Sequence, residues 1–166
     1  MDMTDTYFID EGDYELWTSR LEASPGDCVI TNVGRVGAVA QVPEGLNAAL
    51  GRNMTGLRCR PDFPFPGFLL EALISDAMRQ EIVHKTDTGT ILDALNVRNI
   101  PKLKLNLASR DILSYFESMI RPVQLRMESN LKQSRTLAAL RDGLLPKLMR
   151  GKVRVAQLSG LVEGGE

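Results

Sequence analysis

The fold is decided by residues 109–151, which read SRDILSYFESMIRPVQLRMESNLKQSRTLAALRDGLLPKLMRG. A heptad register fits this stretch from Ile112 to Lys147, and seven of its eleven a and d positions are apolar. Ser109 is a good helix N-cap, and Pro146 and Gly151 stand where a helix should end. The pattern therefore predicts one long helix with a seam formed by Ile112, Phe116, Met119, Val123, Asn130, Leu137, Leu140 and Leu144.

A helix of this length needs a partner. From Arg110 to Arg150 it would run for about 60 Å at 1.5 Å per residue. The 108 residues before it cannot cover both of its faces. We expect a second copy or another protein to pack on the seam, with Asn130 fixing the register. Pro122 is expected to kink or split the helix, because proline removes a backbone hydrogen bond there.

The part of the chain before residue 109 consists of short predicted elements separated by many turns. It predicts an α+β fold in which a domain of short strands and helices precedes a long coiled-coil-type helix. The expected boundaries are residues 1–108 for the mixed domain, 109–151 for the helix and 152–166 for a C-terminal tail. The expected elements are helices at 13–21 and 68–83, strands at 28–31, 36–42, 53–60 and 102–107, and a turn or single helical turn at 96–101.

Composition and charge narrow the class of protein. Of 166 residues, 43% are hydrophobic and 25% charged, as in globular proteins, and no run approaches the ~20 apolar residues of a membrane helix. The start resembles no signal peptide, so we expect a cytoplasmic protein without a membrane segment. Residues 1–30 carry a net charge of −7 and residues 110–154 a net charge of +6. The basic segment permits contact with a polyanion or forms a solvated helix face.

The residues suggest no catalytic chemistry. The sequence has neither a P-loop nor a Gly-x-Ser-x-Gly elbow, and His84 has no nucleophile at a recognisable spacing. No carboxylate cluster or cysteine spacing indicates a metal site, and no cofactor is expected. Residues 34–37 (GRVG) form either a plain β-turn or a loop through which backbone approaches a phosphate. A binding or assembly protein is therefore favoured over an enzyme.

Three segments carry a resemblance to a known family. Residues 25–31 (PGDCVIT) with 34–37 (GRVG), residues 89–96 (GTILDALN) followed by Ile100, and residues 137–155 (LAALRDGLLPKLMRGKVRV) occur in this order. Together they resemble the specificity subunits of type I restriction-modification systems, and the last match is the most specific. The resemblance covers about four-fifths of the chain.

The resemblance implies a non-catalytic subunit that recognises a bipartite sequence in double-stranded DNA. Such subunits hold two target-recognition domains joined by antiparallel helices that bind methylation subunits and, through them, the restriction subunit. This chain would supply the later part of one recognition domain and one helix, which suggests a homodimer. Against the family pattern, the opening strands of the recognition domain are expected to be missing, and residues 105–110 (LNLASR) replace the usual proline-rich entry to the helix. The alternative is a truncated subunit that assembles through its helix without reading DNA.

Arginine, lysine and asparagine in the predicted loops are the candidates for DNA contact. Arginine and lysine hydrogen-bond guanine edges or phosphates, and asparagine pairs with adenine edges. The alternative role of each is that of an exposed polar residue on a turn. The candidate DNA-binding residues are Asn32, Arg35, Arg52, Asn53, Lys85, Thr90, Asn96 and Arg98.

Overall fold

The computed structural model describes residues 6–87 and 93–151. It confirms a mixed α+β fold of short helices, small antiparallel sheets and a long C-terminal helix. The elements are α1 (Glu11–Thr18), β1 (Cys28–Thr31), β2 (Val39–Gln41), β3 (Met54–Leu57), α2 (Pro66–Ile74), α3 (Asp76–His84), β4 (Thr86–Asp87), β5 (Ala94–Leu95), a 3-10 helix (Val97–Lys102) and α4 (Arg110–Met149).

Strand β1 is the centre of the fold. It lies between β2 and β3 and pairs antiparallel with both, so that Cys28 is opposite Gln41 on one side and Leu57 on the other. Its β-branched residues suit a strand that is covered on both faces. Cys28 and Ile30 belong to the larger core cluster, and Val29 belongs to a smaller one. The larger cluster also contains Leu73, Met78, Ile82, Leu95 and Ile100.

The helix expected at residues 68–83 is two helices. Ser75 has an extended conformation with ψ 153°, and its hydroxyl accepts a hydrogen bond from the Met78 N–H at 3.3 Å. It therefore caps α3 instead of continuing α2. The apolar stripe survives the break, because Leu73, Met78 and Ile82 all reach the same core.

Residues 102–107 alternate as expected but do not form a strand. Leu103 and Leu105 pack against the core, whereas Lys102 and Lys104 are exposed. The Leu103 N–H donates to the Ile100 carbonyl at 3.1 Å and closes the 3-10 helix. Within the described chain no strand pairs with this segment, so alternation here reflects one-sided burial without a sheet.

Helix α4 runs from Arg110 to Met149 without a break at Pro122, so the expected split is wrong. A single proline removes one rung of the hydrogen-bond ladder, and the turns on either side keep theirs. Gly151, with φ +66°, follows the helix end, and its N–H donates to the Leu148 carbonyl at 3.0 Å. The contacts divide the described chain into one compact unit up to Pro122 and a second from Val123.

Candidate nucleic-acid interface

The loop between β1 and β2, residues 32–38, is a hairpin connection. The Thr31 hydroxyl donates to the Arg35 carbonyl and accepts from the Ala38 N–H at 3.1 Å. Gly34 and Gly37 have backbone φ angles of +84° and +75°, which residues other than glycine rarely adopt. The side chain of Arg35 is therefore exposed on a loop whose backbone is fixed by hydrogen bonds to the Thr31 hydroxyl.

Asn32 is built into the fold. Its side chain is 4% exposed, its Nδ2 donates to the Leu95 carbonyl at 3.1 Å, and its Oδ1 accepts from the Thr55 hydroxyl at 2.8 Å. Its backbone N–H donates to the Asn53 carbonyl at 2.7 Å. This residue was expected to contact DNA, but the structure uses its amide to join three chain segments.

The hydrogen bonds of Asn32 join the three chain segments that carry most of the predicted DNA-contact residues. Arg52 and Asn53 lie in the turn before β3. Asn96 and Arg98 follow β5, and there the Asn96 Oδ1 accepts from the Arg98 N–H at 3.0 Å. Along the chain, each of these residues lies within three positions of Asn32 or of a residue that hydrogen-bonds with Asn32. We call this set the loop cluster. Its exposed members are Arg35, Arg52, Asn53, Asn96 and Arg98.

Lys85 does not join the loop cluster. Lys85 is half-buried at the end of α3, where its Nζ lies 3.3 Å from Glu81 and its carbonyl accepts from Asn99 at 3.2 Å. Thr90 lies outside the described residues.

A cleft of about 620 Å³ opens beside the β1–β2 loop. Its described lining comes from that loop, from α3 and from the residues around β4 and β5. Arg79, on α3, joins Arg35 in this lining. Sequence reasoning missed Arg79, because it treated residues 68–83 as one packed helix. No local signal distinguished Arg79 from the other polar positions of α3. The described lining residues are Gly34, Arg35, Val36, Gly37, Ala38, Arg79, Ile82, Val83, Thr86 and Asp93.

The first turns of α4 belong to the compact unit that ends at Pro122, and they pack against its other elements. Leu113 is buried, and Phe116 packs edge-to-face on Phe68 with ring centroids 6.1 Å apart. The Glu117 carboxylate accepts the N–H groups of Gly67 and Phe68, each at 2.9 Å. Glu117 therefore caps α2, whose own N-cap residue, Phe65, makes no side-chain cap.

Most of the predicted helix seam faces solvent. Exposed fractions are 65% for Leu137 and 60% for Ile112, and other apolar residues of α4 are similarly open. Phe116 and Leu144 are half-buried. Exposed apolar area on this scale indicates a surface that binds another molecule. The seam residues that are exposed are Ile112, Met119, Val123, Asn130, Leu137 and Leu140.

The thiols and acidic groups of the described chain form no evident catalytic site. Burial, together with the nearby Cys59 and Asp27, raises the pKa of Cys28 to about 12. At neutral pH such a thiol is protonated and a poor nucleophile. Across residues 6–87 and 93–151 no three metal-ligating side chains cluster. None of the helices described is both long and apolar enough to cross a membrane.

Comparison with known proteins agrees with the resemblance in the motifs. No protein-family model matches the chain. The chain is 35% identical to the type I restriction enzyme MjaIX specificity subunit of Methanocaldococcus jannaschii over 79 aligned residues. The aligned residues make up 48% of this chain and 18% of that protein. The chain thus spans less than a fifth of this relative's length. This match confirms the predicted relation to type I specificity subunits, as a distant relation over about half of the chain.

Proposed function

We propose that the chain is a specificity subunit, or half of one, in a cytoplasmic type I restriction-modification system. It reads double-stranded DNA and holds the methylation subunits, and through them the restriction subunit, without catalysing a reaction itself. The observation that carries the proposal is the 35% identity to a specificity subunit over about half of the chain.

The loop cluster is the proposed DNA-reading surface. Its three arginines can donate bidentate hydrogen bonds to guanine or bind phosphates. Asn53 can pair with adenine, whereas the Oδ1 of Asn96 already accepts from the Arg98 N–H. All five side chains are exposed, and the loops that carry them are joined through the buried Asn32. A preorganised surface of this kind loses little conformational entropy on binding.

Helix α4 is the proposed assembly surface. In an antiparallel pair that sets Met119 against Leu137 of a second copy, Ile112 meets Leu144 and Phe116 meets Leu140. The polar Arg126 then meets Asn130 near the centre. This register matches apolar with apolar near both ends, which supports a two-fold homodimer. The same helices would present their remaining faces to methylation subunits.

Co-expression with the methylation subunit of the same system tests the proposal. Methylated bases in the host DNA are then mapped by sequencing. A new methylation motif of two symmetric halves with a fixed gap is the expected result. A stable complex without methylation supports the alternative, an assembly module that reads no DNA. Absence of both a complex and any selected DNA sequence refutes the proposal.

The helix is tested separately by self-association. Leu140→Asp places a charge in the apolar seam and should raise the dimer dissociation constant at least tenfold, the equivalent of about 1.4 kcal/mol. Leu125→Asp is the matched control, because Leu125 is also exposed on α4 but occupies neither an a nor a d position. Sedimentation equilibrium gives both constants. Equal effects of the two substitutions would place the interface elsewhere.

A further inference from the structure

The cleft beside the β1–β2 loop has a second arginine, Arg79, that belongs to no predicted site. Among its described lining residues Arg35 and Arg79 are cationic and Asp93 is anionic, so the positive charges outnumber the negative. The two arginines come from different elements, the loop and α3. Their convergence on one cleft is therefore a product of the tertiary fold.

Apolar groups make up much of the remaining lining. Val36 comes from the loop, and Ile82 and Val83 come from α3. Val83 is 71% exposed, so its side chain offers apolar surface to a ligand. A ligand that fits this lining combines an anionic group with a compact, less polar body.

The loop and α3 are held at a fixed separation. A Cβ atom at Gly37 would lie only 3.0 Å from Cγ2 of Ile82, so the glycine lets the loop backbone rest directly on α3. Gly37 is also held by its N–H bond to the Thr31 carbonyl at 2.9 Å. The cleft is thus formed before any ligand arrives.

Arg79 is available for a ligand. Its Nη1 lies 3.3 Å from Oδ1 of Asp76, one helical turn earlier, and both side chains are largely exposed. Exposed pairs of this type contribute little to stability. A phosphate group can therefore replace the Asp76 carboxylate as the partner of Arg79 at little cost in free energy.

We propose that this cleft binds the sugar–phosphate backbone of DNA, with the guanidinium groups of Arg35 and Arg79 on phosphate and the deoxyribose against Val36 and Val83. The inference rests on the proposed function and adds Arg79 to the binding surface. Guanidinium forks match phosphate geometry. Because phosphate contacts carry no sequence information, these two arginines position the duplex and leave base reading to the rest of the loop cluster.

Fluorescence anisotropy of the full chain with a labelled duplex tests the assignment. One duplex carries the sequence selected by the chain, and the other carries the same bases scrambled. Arg79→Gln should weaken binding to both duplexes about fivefold. It should also make the negative slope of log K against log salt shallower by about 0.9, the value for one phosphate contact. Val83→Glu, a carboxylate at an exposed position of the cleft, should weaken both at least tenfold.

Arg20→Gln is the matched control, since it removes one exposed positive charge outside the cleft and should leave affinity and salt slope unchanged. Circular dichroism confirms that each variant is folded. A wild-type chain that binds neither duplex refutes the proposed function and this inference with it. Wild-type binding that Arg79→Gln and Val83→Glu leave unchanged refutes the cleft alone. A loss on Arg35→Gln confined to the selected duplex would overturn the assignment of Arg35 to phosphate.

Discussion

Glu117 links the long helix to the mixed domain, and its removal gives a sharp test of that connection. Its two carboxylate oxygens accept the N–H groups of Gly67 and Phe68 at 2.9 Å each. These are donors of the first turn of α2, where Pro66 has no N–H to offer and Leu69 donates to the Phe65 carbonyl. Glu117→Ala therefore leaves two helix donors without this acceptor.

The cost follows from the burial of the donors. Hydrogen bonds to a charged group contribute about 1.5–3 kcal/mol each. Gly67 is buried, but Phe68 and Glu117 are half-buried, so water replaces part of the interaction. We expect Glu117→Ala to lower the free energy of unfolding by about 2–3 kcal/mol in total. Glu117→Gln keeps a neutral acceptor and should cost about 1 kcal/mol.

Urea denaturation followed by far-ultraviolet circular dichroism, at one fixed protein concentration, measures these changes. The matched control is Asp111→Asn, which removes an exposed carboxylate from the first turn of the same helix and should cost about 0.5 kcal/mol. A Glu117→Ala variant no less stable than Asp111→Asn would show that the cap does not hold α4 to the mixed domain.

Three further predictions concern the interior and the loop. Burial raises the pKa of Asp27, but hydrogen bonds from Arg58 and a backbone N–H bring it below its ordinary value. The ion pair therefore stabilises the fold above the unfolded-state pKa of about 3.9, and this contribution is lost as pH falls through the folded-state pKa. Asp27→Asn should cost about 2 kcal/mol at pH 7 and flatten the acid-side fall in Tm between pH 5 and pH 2. Gly37→Ala should cost more than Gly34→Ala in thermal melts, by about 1 kcal/mol, because both have positive φ but only the former meets a side chain. Cys28, buried and with a pKa of about 12, should react with iodoacetamide at pH 8 only after unfolding, and labelling of the native protein at that site would contradict its burial.

Local patterns predicted much of the fold. β-Branched residues between turn-forming glycines predicted β1, and the heptads predicted α4 with its end near Gly151. The pattern did not separate α2 from α3, because Ser75 interrupts the backbone without interrupting the apolar stripe. It also predicted a strand at residues 102–107, where alternation arises from burial of one side alone.

The candidate site was predicted less completely. Arg35 was singled out because glycines flank it, and the structure indeed leaves it exposed on a loop. Asn32 has the same local signature of a polar residue near a turn, yet its amide is spent on Thr55 and on Leu95, 63 residues away. Arg79 gave no signal at all, because the cleft that it lines exists only when α3 packs on the loop.

By itself, the sequence determined that this chain has a mixed domain and a long helix with an apolar seam, because helix period and turn chemistry are local properties. It also determined the relation to type I specificity subunits, through motifs that are read in order along the chain. Tertiary structure alone decided which polar side chains serve the interior and which face outward. The reason is physical: burial of a side chain such as Asn32 depends on partners that are distant in sequence, and no local pattern records which strands and loops will meet.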